Sequence, residues 1–256
     1  LEQQLPTSMP KAQRADRIGA LIEALGGVDL AGVAAELVDR TMLQPAVATL
    51  DSDFGDTPDV DATLRRTLGD TASILGHYAQ AIELNQRAAD YALATYGDAD
   101  PRTAEATISL SNALVGFGQF ERAVKAIRRC ETGRVAAVGE TDATVAALRM
   151  KLGEVRVERG EFPEACRLLA SARDISSSLH GPTDERTLDA RLRLADVRAR
   201  QGAWPEAERE IRAVLDDSRR SLGPDAELPR RAALALGTVL QNQDRPKDAE
   251  PYFKEH

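Results

Sequence analysis

An all-α fold, an α-solenoid of stacked antiparallel helix pairs, follows from three features of this 256-residue chain. The stretch Leu194–Ala207 reads Leu-Ala-Asp-Val-Arg-Ala-Arg-Gln-Gly-Ala-Trp-Pro-Glu-Ala, and its pattern returns every 42 residues. Leu152, Gly153, Gly160, Phe162 and Ala165 repeat it, as do Leu110, Ser111, Gly118, Phe120 and Ala123. Leu68, Gly69, Gly76, Tyr78 and Ala81 repeat it again, while Leu236, Gly237 and Ala249 continue it with Asp244 and Pro246 in place of the glycine and the aromatic. A second glycine, at 55, 97, 139, 181 and 223, keeps the same interval. A period of this size marks a repeat architecture. Finally, aromatic residues make up only 4% of the chain while Ala, Leu, Arg and Glu abound, a composition that suits helices better than sheets.

Taken in order, residues 1–10 carry Pro6 and Pro10 and no period, and read as a linker. A helix is expected over 11–25, with Ile18, Leu21, Ile22 and Leu25 on one face and Gly26-Gly27 ending it. A second should cover 29–41, with Leu30, Val33, Ala34, Leu37 and Val38 apolar, and a third begins near Pro45. Residues 1–54 thus form a linker and capping helices. Five repeats follow, at 55–96, 97–138, 139–180, 181–222 and 223–256, the last incomplete.

Each repeat splits into helices A and B. Thr57-Pro58 and Asp100-Pro101 are helix-A starts, a capping residue followed by proline at the first helical position. The glycines at 76, 118, 160 and 202 suit the end of helix A, because the left-handed cap conformation costs glycine little. Helix B opens at Phe162-Pro163 or Trp204-Pro205 and turns small residues inward, at Ala81, Ala123, Ala165, Ala207 and Ala249. One such pair cannot bury its apolar face alone, so neighbours must stack. The leucine fills the space between A and B, and the small residues let the backbones approach to the short end of the usual helix–helix distance.

Leu-Gly, then Gly-X-aromatic, then Ala at these spacings resembles the tetratricopeptide repeat, in the 42-residue form found in kinesin light chain, over 55–256. The resemblance implies a right-handed solenoid whose concave wall is made by the A helices. The bulky aromatic of the family pattern is replaced by Arg65, Thr107, Arg149, Arg191 and Ala233, and the asparagine pair of kinesin light chain is absent. The stretch from about 30 to 75 is also similar to the region before the repeats in some large bacterial serine/threonine kinases, although the chain holds no kinase motif.

Bulk charge and motifs exclude several classes of function. Residues 1–100 carry 16 acidic and 7 basic side chains and 101–256 carry 25 and 26, giving no basic face for nucleic acid. No apolar run approaches a membrane span, the given sequence shows no signal peptide, and it starts at Leu1 without a methionine, so the expectation is a cytoplasmic fragment of something longer. Phosphate loops, His-Glu-x-x-His and Gly-x-Ser-x-Gly are missing, so neither catalysis nor a metal or cofactor is expected. The acids at 51, 53, 56, 59 and 61 lack the glycine and the final glutamate of a calcium loop and read as helix-terminal charges. Cys130 and Cys166 read as buried thiols, and Trp204 as a packing residue in the aromatic slot.

One pattern exceeds the needs of the scaffold. On a helical wheel, positions two before and five after the core leucine point away from the A–B core, yet they are apolar. They are Ile108 and Val115, Met150 and Val157, and Leu192 and Ala199, with Leu234 in the last unit; Glu105, Asn112, Glu154, Asp189 and Asp196 lie beside them. The resemblance places this strip on the concave wall. The expected function is therefore a non-catalytic protein-interaction scaffold. It would hold an amphipathic peptide or helix with basic residues in a groove formed by Glu105, Ile108, Asn112, Val115, Met150, Glu154, Val157, Asp189, Leu192 and Asp196. The alternatives are that the strip only seals successive A helices, or that the chain is a regulatory module whose ligand is another domain of the same polypeptide.

Overall fold

The structure, a computed structural model, describes residues 30–53 and 57–254. Two compact units, 1–56 and 57–256, divide the chain. The linker at 1–10 and the helix expected over 11–25 lie outside the described residues.

In the first unit, α1 (Leu30–Val38) and α2 (Gln44–Asp53) are joined by a π-helical turn, Asp39–Leu43. The expected break between 41 and Pro45 is absent, and the backbone stays helical throughout. Pro45 has no N–H to donate, and in a regular α-helix its ring collides with the carbonyl four residues back. The widened turn, in which the Gln44 N–H reaches the Asp39 carbonyl five residues back, gives that ring room. Leu43 and Leu50 are buried, whereas Val33 and Leu37 are exposed.

The second unit is a right-handed solenoid of helix pairs. Its A helices are α3 (Pro58–Ile74), α5 (Pro101–Gly116), α7 (Ala143–Glu158), α9 (Glu185–Arg200) and α11 (Glu227–Asn242). Its B helices are α4 (Tyr78–Tyr96), α6 (Phe120–Val138), α8 (Phe162–His180), α10 (Trp204–Leu222) and α12 (Pro246–Lys254). Asp100, Asp142 and Asp184 cap α5, α7 and α9 by accepting backbone N–H bonds from the first turn. Such caps satisfy donors that the helix itself cannot.

Both glycine series have a conformational cause. Gly76, Gly118, Gly160 and Gly202 close the A helices with φ between 73° and 83°, and Asp244 takes the same role at φ 58°. Of the unit-opening series, Gly97, Gly139, Gly181 and Gly223 combine φ of 81–95° with ψ of 155–179°, a region that side chains bar to nearly every other residue.

Packing follows the recurring residues. Ala81, Ala123, Ala165, Ala207 and Ala249 are all buried, as are Leu110, Leu152, Leu194 and Leu236. Leu68, on the first helix of its unit, is only half-buried. A Cβ on Gly153 would stand 2.8 Å from Leu169 Cγ, and one on Gly69 2.5 Å from Asn85 Oδ1, so helix-B side chains lie directly on the helix-A backbone where the sequence supplies glycine.

The slot that the resemblance fills with an aromatic is filled here by charge clamps. Arg149 Nε meets Glu131 at 2.9 Å and its Nη1 meets Ser171 Oγ at 2.7 Å, tying α7 to both flanking B helices. Arg191 reaches Glu210 at 2.7 Å and Asp217 at 2.9 Å on α10. Arg65 is 2% exposed and pairs with Asp61 at 2.7 Å. Burial would push the Arg191 guanidinium down, but the two carboxylates hold it above its ordinary value. Thr107 uses the slot differently, with its Oγ1 3.2 Å from the buried Cys130 Sγ. Cys166, expected inward, is half-buried, because the fully inward position belongs to its neighbour Ala165.

Candidate functional site

The apolar strip on the A helices is graded from sealed to open. Ile108 and Val115 are half-buried against the cluster around Leu110 and Leu114. Met150 is half-buried between two clusters, one around Val145 and Ala172 and the other around Leu169 and Leu194. Leu192 and Ala199, each 4% exposed, join the core formed with Ala232, Ala233 and Leu236 of α11. Leu234, by contrast, is 38% exposed. The strip therefore seals one unit against the next and also lines an opening beyond the seal.

That opening is a cleft of about 520 Å³ across α7, α9 and α11. Its floor includes Val157, Leu169, Leu192, Ala199 and Leu234, and Trp204 stands at the start of α10 beside it. Glu154, Val157, Leu192 and Asp196 are the expected groove residues that the fold gathers here. Glu105 lies apart, in a second cleft of about 310 Å³ with Asp59, Arg66, Tyr91, Tyr96 and Arg102. Ile108, Asn112, Val115, Met150 and Asp189 border neither cleft.

The acidic edge is largely neutralised within the protein. Arg193 on α9 pairs with Glu154 on α7 at 2.5 Å and with Asp189 at 2.9 Å, and Asp189 pairs with Arg231 on α11 at 2.9 Å. Lys151 adds a second cation to Glu154, and Arg200 meets Asp196 at 3.0 Å. A ladder of alternating charge thus crosses three successive A helices. Burial would lower the Arg193 guanidinium, but Glu154 and Asp189 hold it above its usual value.

In the second cleft, the hydroxyls of Tyr96 and Tyr91 both donate to the Asp59 carboxylate, the latter at 2.9 Å. The Arg102 guanidinium lies 3.4 Å from the Tyr96 ring centroid. These bonds pull Asp59 below its ordinary range and, with some help from burial, push Tyr96 up to about 12. They tie the start of α3 to the end of α4, so Asp59 is committed to the scaffold.

The tetratricopeptide-repeat model matches residues 59–134, 144–216 and 187–256. The chain belongs to the tetratricopeptide-repeat family. No curated protein matches it. Among solved structures it resembles BtubC (BKLC) from P. vanneervenii at 15% identity and TM-score 0.67, covering 83% of this chain and 88% of that one. A Podosopora anserina protein of nearly identical, kinesin-light-chain-like repeats aligns at 17% identity and TM-score 0.62, over 77% and 93% of the two chains. The Rap conjugation gene regulator of plasmid pLS20, in complex with the Phr* peptide, aligns at 15% identity and TM-score 0.64, over 86% and 62%. At these identities the likeness is one of fold.

Within this tetratricopeptide solenoid, sequence reasoning missed the cations. Arg193 and Arg200 follow Asp189 and Asp196 by four residues, a spacing that places them on one helical face, so both pairs were legible. Arg231 was not, since its partner stands on another helix and only the stacking brings them together. Trp204 both packs on the core, as expected, and borders the cleft, as no single-helix pattern could show.

Proposed function

We propose that the protein is a non-catalytic interaction scaffold that takes an extended peptide or helix of a partner protein along the A helices. The cleft of about 520 Å³ is the observation that carries this reading. An apolar floor ringed by ion-paired side chains offers buried area for affinity and fixed charges for orientation. Support also comes from the pLS20 Rap regulator, a neighbour in fold whose structure contains a peptide.

Hydrogen exchange tests the reading with a peptide selected from a random display library. Bound peptide should slow exchange in α7, α9 and α11 at 150–158, 192–200 and 231–242. Protection confined to α6, α8 or α10 would place binding elsewhere and overturn the reading.

A further inference from the structure

Glu158 is the odd charge of the cleft. Glu154, Arg193, Asp196, Arg200 and Arg231 all hold ion partners within the protein. Glu158 lines the same cleft, is exposed, and makes no side-chain hydrogen bond or ion pair among the described residues. It is also the last residue of α7. The carboxyl end of a helix is the negative end of its dipole and disfavours a carboxylate there. The equivalent residue of the next unit, Arg200 at the end of α9, has the sign that the dipole favours. Glu158 therefore stands where a cation would relieve both an unmatched charge and an unfavourable dipole.

An apolar recess lies beside it. Val157, Leu192, Ala199, Leu234 and Trp204 bound a volume that accepts a large side chain, and nothing described fills it. The charges on its other sides already have partners, so an acidic ligand group would have to compete with Glu154, Asp189 or Asp196 for an arginine. A basic group at Glu158 competes with nothing.

We infer that the groove, on the reading of function given above, selects a peptide with a bulky apolar anchor seated against Trp204 and a lysine or arginine beside it at Glu158. The anchor supplies affinity by burying apolar surface, and the cation supplies orientation and selectivity. Trp204 is the only tryptophan in the chain, so its emission reports occupancy of the recess directly.

The test is a random-peptide display selection run in parallel on the parent protein and on Glu158→Lys, an exposed change outside the core. Parent-selected peptides should pair a bulky apolar residue with a nearby lysine or arginine and should shift Trp204 emission. Glu158→Lys should weaken them about tenfold and should itself select the same anchor beside aspartate or glutamate. Peptides that shift Trp204 emission but show no charge preference, and bind both proteins equally, would overturn the inference and leave the groove standing. Selected peptides that leave Trp204 emission unchanged, or a failure to select any, would overturn the inference together with the groove reading.

Discussion

At the scale of single residues, the scaffold depends on what is small. Ala207 is fully buried in a cluster with Leu188, Ile211 and Leu236, where an added side chain has no space. Ala207→Leu should lower stability by about 1–3 kcal/mol, read from urea midpoints, because overpacking forces neighbours off their rotamers. An unchanged midpoint would contradict the packing described. Asp142 makes a different prediction. Its bond to the Arg134 guanidinium, at 2.8 Å, and the backbone N–H groups it caps hold its carboxyl down at about 2. A carboxyl depressed in the folded state stabilises above its unfolded pKa and loses that contribution as pH falls through the folded value. Asp142→Asn should therefore cost on the order of 2 kcal/mol at neutral pH. That gap should shrink between about pH 4 and pH 2, as denaturation at several pH values will show. The buried alanines and core leucines were legible because a fixed period repeats their size. The protonation of Asp142 was not, because Arg134 reaches it from the preceding helix.

At the scale of helices, the sequence strip divides into two roles that only stacking separates. Leu192 and Leu234 occupy equivalent repeat positions, yet one is 4% and the other 38% exposed. Helix α11 covers the first, and its own outward face carries the second. Leu192→Glu should destabilise by about 3 kcal/mol or more, since it buries an unpaired charge, while Leu234→Glu should keep the parent melting temperature to within a few degrees. Equal melting temperatures for the two variants would remove the distinction. A wheel assigns each residue a face of its own helix and cannot show how much of that face a neighbouring helix covers. The same limit explains the π turn at Asp39–Leu43, where Pro45 reads as a helix start and the chain instead widens one turn to keep it. It also explains the arginine clamps, which look like departures from the family pattern until Glu131, Glu210 and Asp217 are placed opposite them.

At the scale of the molecule, the described contacts of the solenoid run between helices adjacent in sequence and between successive A helices. Stability in such an array is close to a sum over units and their nearest-neighbour interfaces. An in-register deletion of 139–180 should therefore fold, with helicity per residue unchanged by circular dichroism and a lower melting temperature. Removing 160–180 alone should cost far more, since it strips α7 of its partner helix. The reverse order of stability would contradict a 42-residue unit.

The central claim, that the open end of the strip binds a partner peptide, is tested most directly at Leu234. The measurement is the affinity of a groove-selected peptide for the parent protein and for Leu234→Glu, with melting temperatures recorded alongside. A charge set into the apolar floor should weaken binding about tenfold or more while the fold is retained. Equal affinity for the two proteins would contradict the claim.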